Sequence, residues 1–422
     1  MNGAGLSFQQ APPLGVPLRL MLMAPLFLLL TALVGMVSAD TWPASRWTPA
    51  ALALTHLLTL GVLGMAMSGA LLQMLPVMLG APLPATRHIA TAMLIGLGVG
   101  TPALSLGLGM GEPALLVIAM VFLVSGLLPL LAGLAVSLTR AVSLPRVAWP
   151  MRQAWLALLV TLAAGLWLAA GLSGLAPVAD FARLTVQHAA WGLAGWVLIL
   201  VVGVAYQVVP MLQLTPPYPD RLSTWLTWSI LAGLLLFTAI LWLAPAWTGL
   251  AALPASAAAA TFAVFTVILQ RRRRRKVADA SLDFWRFGMF NLLGCAVLMP
   301  CHGVLADSLQ VSLGLAFLLG FAVSVINGML YKIVPFLAWF HLQAQTGARA
   351  GTIPNMKDFV PDQAARRQYR FHLAAVLLLL PAPLRPARSA VPGLLCLAVS
   401  AQMLWLNLLR ARRLFLHHGG RL

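Results

Sequence analysis

Charge is scarce in this chain, and negative charge scarcer still. Only 9% of its 422 residues are charged, and nine Asp or Glu stand against 27 Lys or Arg, whereas a soluble domain carries roughly 25% charged residues. That composition excludes a set of water-soluble domains. The few acids Asp40, Glu112, Asp180 and Asp307 fall at the edges of apolar runs, so no chain of buried carboxylates for proton relay is expected. Cysteine is nearly absent: Cys295, Cys301 and Cys396 are odd in number and form no CxxC pair, which excludes a disulfide framework and a cysteine zinc site. The net charge of +18 lies almost entirely in short connections between apolar runs. This is a topology signal and a lipid-headgroup contact, not a nucleic-acid face.

What the chain has is apolar residues, 61% of the total, in runs that recur at about the 20-residue length needed to cross a bilayer. Spans are expected at 18–38, 50–78, 88–110, 113–138, 153–176, 184–213, 222–244, 246–270, 284–306, 309–340, 371–384 and 390–410. The fold class is therefore all-α polytopic membrane protein, a single membrane domain over 1–422 with about 12 transmembrane helices. The eleventh span is the weakest, because Pro381, Pro383, Arg385 and Pro386 crowd its end. Arg19, the first apolar run and the small residues before Asp40 imitate a signal peptide. A retained first span is expected, since the repeat described next needs a helix there.

Alternate connections hold Arg87, Arg140, Arg146, Arg152, Arg221, the basic run 271–276 and the segment 349–370, while the others hold only Arg46, Arg183, Arg385 and Arg388 as basic residues. The positive-inside bias places both termini, with Arg410, Arg412, Arg413 and Arg421, in the cytoplasm. One connection is long, a cytoplasmic loop over 341–370.

Three spans share one pattern. Gly61, Gly69 and Pro76 on the second, Gly195, Gly203 and Pro210 on the sixth, and Gly320, Gly328 and Pro335 on the tenth keep the same spacing, eight residues between glycines and seven to the proline. The chain therefore reads as a pseudo-threefold arrangement of three four-helix units, 18–138, 153–270 and 284–410. Such glycines admit either a neighbouring helix or a flat cofactor.

Histidines within spans are functional candidates, because ionisable groups in lipid are costly. His56 and His188 lie twenty and twenty-two residues before their motif prolines, near the outer face. His302 closes the ninth span on that same side, beside Cys301, and Gln187 adjoins His188. Imidazoles at this level are candidate haem-iron or copper ligands; the alternative is that each hydrogen-bonds a carbonyl. His88, His341, His372, His417 and His418 read as interfacial. Gln73, Gln207, Asn327 and Lys332 suit a second class, a permease of a small molecule or metal, with Lys332 snorkelling toward the cytoplasm.

The stretch His56-Leu-Leu-Thr-Leu-Gly, then Gly69, then Leu75-Pro-Val-Met-Leu-Gly-Ala-Pro82 resembles the second helix of haem-copper oxidase subunit I. The end of the tenth span, Gly328 to Pro335, is similar to the end of that family's tenth helix. Remote members of the superfamily include the NnrS family, and this chain looks closer to those than to true oxidases. The resemblance implies haem held by His56, His188 and His302, with copper as a further metal and the macrocycle admitted by Gly61, Gly69, Gly195, Gly203, Gly320 and Gly328. It also implies a bacterial inner membrane, a role in respiratory or nitric oxide physiology, and respiratory-complex subunits as partners. The departures are specific: 310–340 holds no histidine, and the seventh span lacks the paired copper ligands. A proton-pumping oxygen reductase is not expected.

Overall fold

The computed structural model describes residues 8–141, 145–275, 277–346 and 353–422. Twelve long helices follow one another: α1 (Gly15–Val37), α2 (Pro49–Leu79), α3 (Thr86–Met110), α4 (Pro113–Arg140), α5 (Arg146–Leu172), α6 (Phe181–Gln213), α7 (Asp220–Leu243), α8 (Pro245–Arg271), α9 (Ala280–Val304), α10 (Asp307–Thr346), α11 (Asp362–Leu379) and α12 (Pro386–His417). All except α11 are long and apolar enough to cross a membrane. Ile95, Leu106, Val121, Leu128, Leu236 and Phe290 point outward and are exposed. Such a surface suits lipid and would aggregate in water. The protein is a polytopic helical membrane protein.

Consecutive helices pack side by side around a ring, which closes where α12 packs on α1. In each unit the second helix lies inward: α2, α6 and α10 rest on α1, α5 and α9 respectively. The repeat glycines make this possible. A Cβ on Gly61 would meet Phe27 of α1, on Gly195 Ala157 of α5, and on Gly320 Asn291 of α9; Gly69, Gly203 and Gly328 face Pro17, Pro150 and Phe284 in the same way. The close approach these glycines serve is therefore that of the preceding helix.

The repeat is also written in the backbone. Each inner helix contains an eight-residue π-helical segment, Leu57–Gly64 in α2, Trp191–Leu198 in α6 and Ala316–Val323 in α10. The first repeat glycine is the fifth residue of each segment. π-turns widen a helix and are frequent at functional sites. Here each wide turn sets its first repeat glycine against the preceding helix.

The ends of several helices differ from the hydropathy reading. Helix α11 spans 362–379 rather than 371–384, so the long connection shrinks from 341–370 to 347–361, of which 347–352 lie outside the described residues, as does Lys276. The cause is a cluster of ions that continues the helix beyond its apolar part. Arg366 bridges Asp362 at 2.7 Å and Asp283 at 2.6 Å, and Asp362 accepts from the Ala280 N–H at 2.9 Å. These contacts pin the start of α11 to the start of α9. Hydropathy reports the membrane-crossing part of a helix, not where its hydrogen bonding stops.

Candidate histidine site

The helices that carry His56 and His188 both begin at a capped end. Thr48 accepts from the Ala51 N–H at 3.2 Å before α2, and Asp180 accepts from the Arg183 N–H at 2.9 Å before α6, which satisfies donors that a helix start leaves free. Each histidine lies eight residues after its cap. The two imidazoles meet, with ring centroids 6.1 Å apart and planes inclined by 20°.

Both rings are oriented the same way. His56 Nδ1 is 2.8 Å from the Leu52 carbonyl of its own helix, and His188 Nδ1 is 3.0 Å from the Thr161 carbonyl of α5. A carbonyl cannot donate, so each Nδ1 carries the proton in the neutral ring and each Nε2 is a bare lone pair. No hydrogen bond to either Nε2 occurs among the described residues. One turn after Thr161, Gly165 provides the space: a Cβ there would stand 2.9 Å from His188 Cε1. Thus α5 both orients His188 and makes room for it. Both residues are half-buried.

His302 does not join them. It sits in the 3-10 turn Met299–Val304 that ends α9, with Nδ1 3.1 Å from the Met299 carbonyl and its ring 5.9 Å from Phe237 of α7. The turn carries it toward α7. Among the described residues no group of three or more His, Cys, Asp or Glu side chains converges as a metal site, so the three-histidine set expected from the sequence is reduced to a pair. Gln187 is likewise engaged elsewhere, accepting from Trp242 Nε1 at 2.7 Å. Cys301 is exposed, and the three cysteines are free.

Two features escaped the sequence reading. His372, read as interfacial, is fully buried in α11, packed on Phe284 and Phe287, with Nε2 2.8 Å from Ser324 Oγ. Ser324 in turn donates to the Leu319 carbonyl, within the π segment of α10, at 3.1 Å. The serine proton is thus committed, so Nε2 donates to Ser324, and the buried Nδ1 has no partner among the described residues. The nine residues by which α11 starts early are what put His372 in the interior. The other feature is Asp279, which caps α9 and pairs with Lys332 at 2.8 Å. Lys332 reaches this carboxylate just before α9, while its repeat counterparts Gln73 and Gln207 line a small cavity of about 20 Å³ between α2, α6 and α10. Asp279, with Asp283 one turn on, also means that carboxylates do lie at the start of α9, which begins four residues earlier than hydropathy indicates.

The third unit has no counterpart of the pair: the positions of α10 equivalent to His188 and His56 are Leu313 and Leu315. No protein-family model matches the chain, and no curated protein matches its sequence.

Proposed function

We propose that this is a membrane metalloprotein whose His56 and His188 hold a transition-metal centre near the outer face. The observation that carries the reading is the pair itself: two imidazoles 6.1 Å apart, each with Nδ1 on a carbonyl and Nε2 bare. Ligand histidines are oriented by this kind of bond from the other ring nitrogen. Two metal–nitrogen bonds of about 2 Å each, with half a ring on either side, span about 6 Å, so the two side chains are close enough to share one ion.

The donors fit haem iron, which takes axial imidazole, and fit copper equally. The glycine faces do not contribute a slot for a macrocycle, because α1, α5 and α9 fill them. Bound there, the metal would supply one-electron chemistry or a site for a small gas. The protein contributes fixed tautomers and orientation, through Leu52, Thr161 and Gly165. Respiratory or nitric oxide physiology, an inner bacterial membrane and contact with respiratory-complex subunits follow from the resemblance to the haem-copper oxidase superfamily and its NnrS branch. Cytoplasmic termini follow from the arginine bias.

The visible spectrum and metal content of the purified protein test the reading, with His56→Ala and His188→Ala as comparisons. Loss of a Soret band, or of bound copper, in both variants supports it. A metal-free, colourless protein after haem and copper supplementation overturns it. The cavities between α2, α6 and α10 favour a second reading, a permease, which uptake into proteoliposomes tests.

A further inference from the structure

Deeper in the bundle, where α2, α6 and α10 face one another, lies a cavity of about 80 Å³. Its lining side chains are apolar throughout except for Trp285, whose Nε1 is a donor only. No oxygen, imidazole or carboxylate is available to an occupant. A hard cation, an anion or a hydrogen-bonding substrate therefore finds no partner there.

The lining is unusual in one respect. Six of its 21 residues are methionine, whereas methionine is 18 of 422 residues in the chain. Met67, Met74 and Met78 follow one another at spacings of seven and four, so they share one face of α2. Met21 reaches the cavity from α1, Met151 from α5 and Met329 from α10. Leucine is the commonest residue of the surrounding core and would fill this space as well. What six methionines from four helices add to this lining is soft, neutral donor capacity. Thioether sulfur selects Cu(I) among biological metals.

We propose that this cavity is a thioether site for a soft monovalent cation, Cu(I), distinct from the histidine pair and independent of it. Thioether donors replace the water of a soft, singly charged ion, the smallest charge that such a low-dielectric interior would have to bury. Binding involves no electron transfer: the ion enters and stays as Cu(I).

Silver(I), redox-inert, is the probe. The full-length protein, with Cys295, Cys301, Cys396, His56 and His188 replaced by alanine to remove competing thiols and imidazoles, is titrated with Ag(I) in detergent, and the metal environment is read by X-ray absorption. One retained Ag(I) per chain with sulfur neighbours is expected. Met67→Leu, Met151→Leu and Met329→Leu combined in this background should weaken binding at least tenfold. Met-to-Leu changes conserve volume, and thermal unfolding confirms that each variant is folded; single substitutions serve if the triple variant is not. Undiminished Ag(I) binding in the methionine variants, a nitrogen-only environment, or xenon occupancy without any silver binding overturns the proposal.

Discussion

His188 of α6 takes its orientation from α5: its Nδ1 lies 3.0 Å from the Thr161 carbonyl, and its ring occupies the space that the absent side chain of Gly165 leaves. Through this contact the ring comes to stand 6.1 Å from that of His56. The pair thus depends on a helix that carries neither ligand. Gly165→Leu should displace the His188 ring and lower metal content as far as His188→Ala does, though both histidines remain. Gly165→Ala, whose Cβ would stand 2.9 Å from Cε1, should give an intermediate loss. Metal analysis of the three purified variants checks this order.

His302 belongs to a different environment, on Phe237 at 5.9 Å. His302→Ala should leave the metal content and visible spectrum as in the unaltered protein. A loss equal to that in His56→Ala would mean that the end of α9 reaches the pair.

His372 is a structural residue in this account. Its Nε2 bond to Ser324 ties α11 to the π segment of α10. Its removal leaves Ser324 and a core space unfilled, at a cost of about 2 to 4 kcal/mol. His372→Ala should lower the thermal midpoint in detergent and leave the metal stoichiometry of the folded fraction unchanged.

Lys332 and Asp279 form a largely buried pair, their side chains 14% and 17% exposed. Burial pushes the Asp279 carboxyl up, but the Lys332 ammonium and the Leu282 N–H pull it down further, so it ends below its ordinary value. The sign follows: a carboxyl depressed in the folded state contributes stability above its unfolded pKa of about 4, and that contribution is lost as pH falls through the folded value. Lys332→Met should cost about 1 to 3 kcal/mol, between exposed and fully buried pairs. Lys332→Gln with Asp279→Asn, which restores the amide of the other two copies, should recover most of it. Thermal unfolding of the single and double variants at pH 7 and pH 4 checks both statements.

Much of the fold is legible in the sequence because lipid imposes a length and an apolar composition on each span. Gly61, Gly195 and Gly320 mark the inner helices before any contact is known, and the structure places a π-turn around each. The turns themselves were not legible, since hydropathy carries no record of which carbonyl a given N–H reaches. His56 and His188 could be placed at one depth by counting back from Pro76 and Pro210. That their rings meet depends on Thr161 and Gly165, which no motif marks. His302, counted to the same side of the membrane, lies on Phe237 instead, because a one-dimensional count says nothing of neighbours. His372 was hidden by the charged first turns of α11, which Arg366 holds by meeting Asp362 within the helix and Asp283, 83 residues away.

The most direct test is the visible spectrum and metal stoichiometry of the purified full-length protein beside the His56→Ala, His188→Ala and His302→Ala variants. The account predicts one metal centre per chain, lost with His56 or His188 and kept without His302. A folded protein that binds neither haem nor copper, or binds them equally well without both His56 and His188, would contradict it.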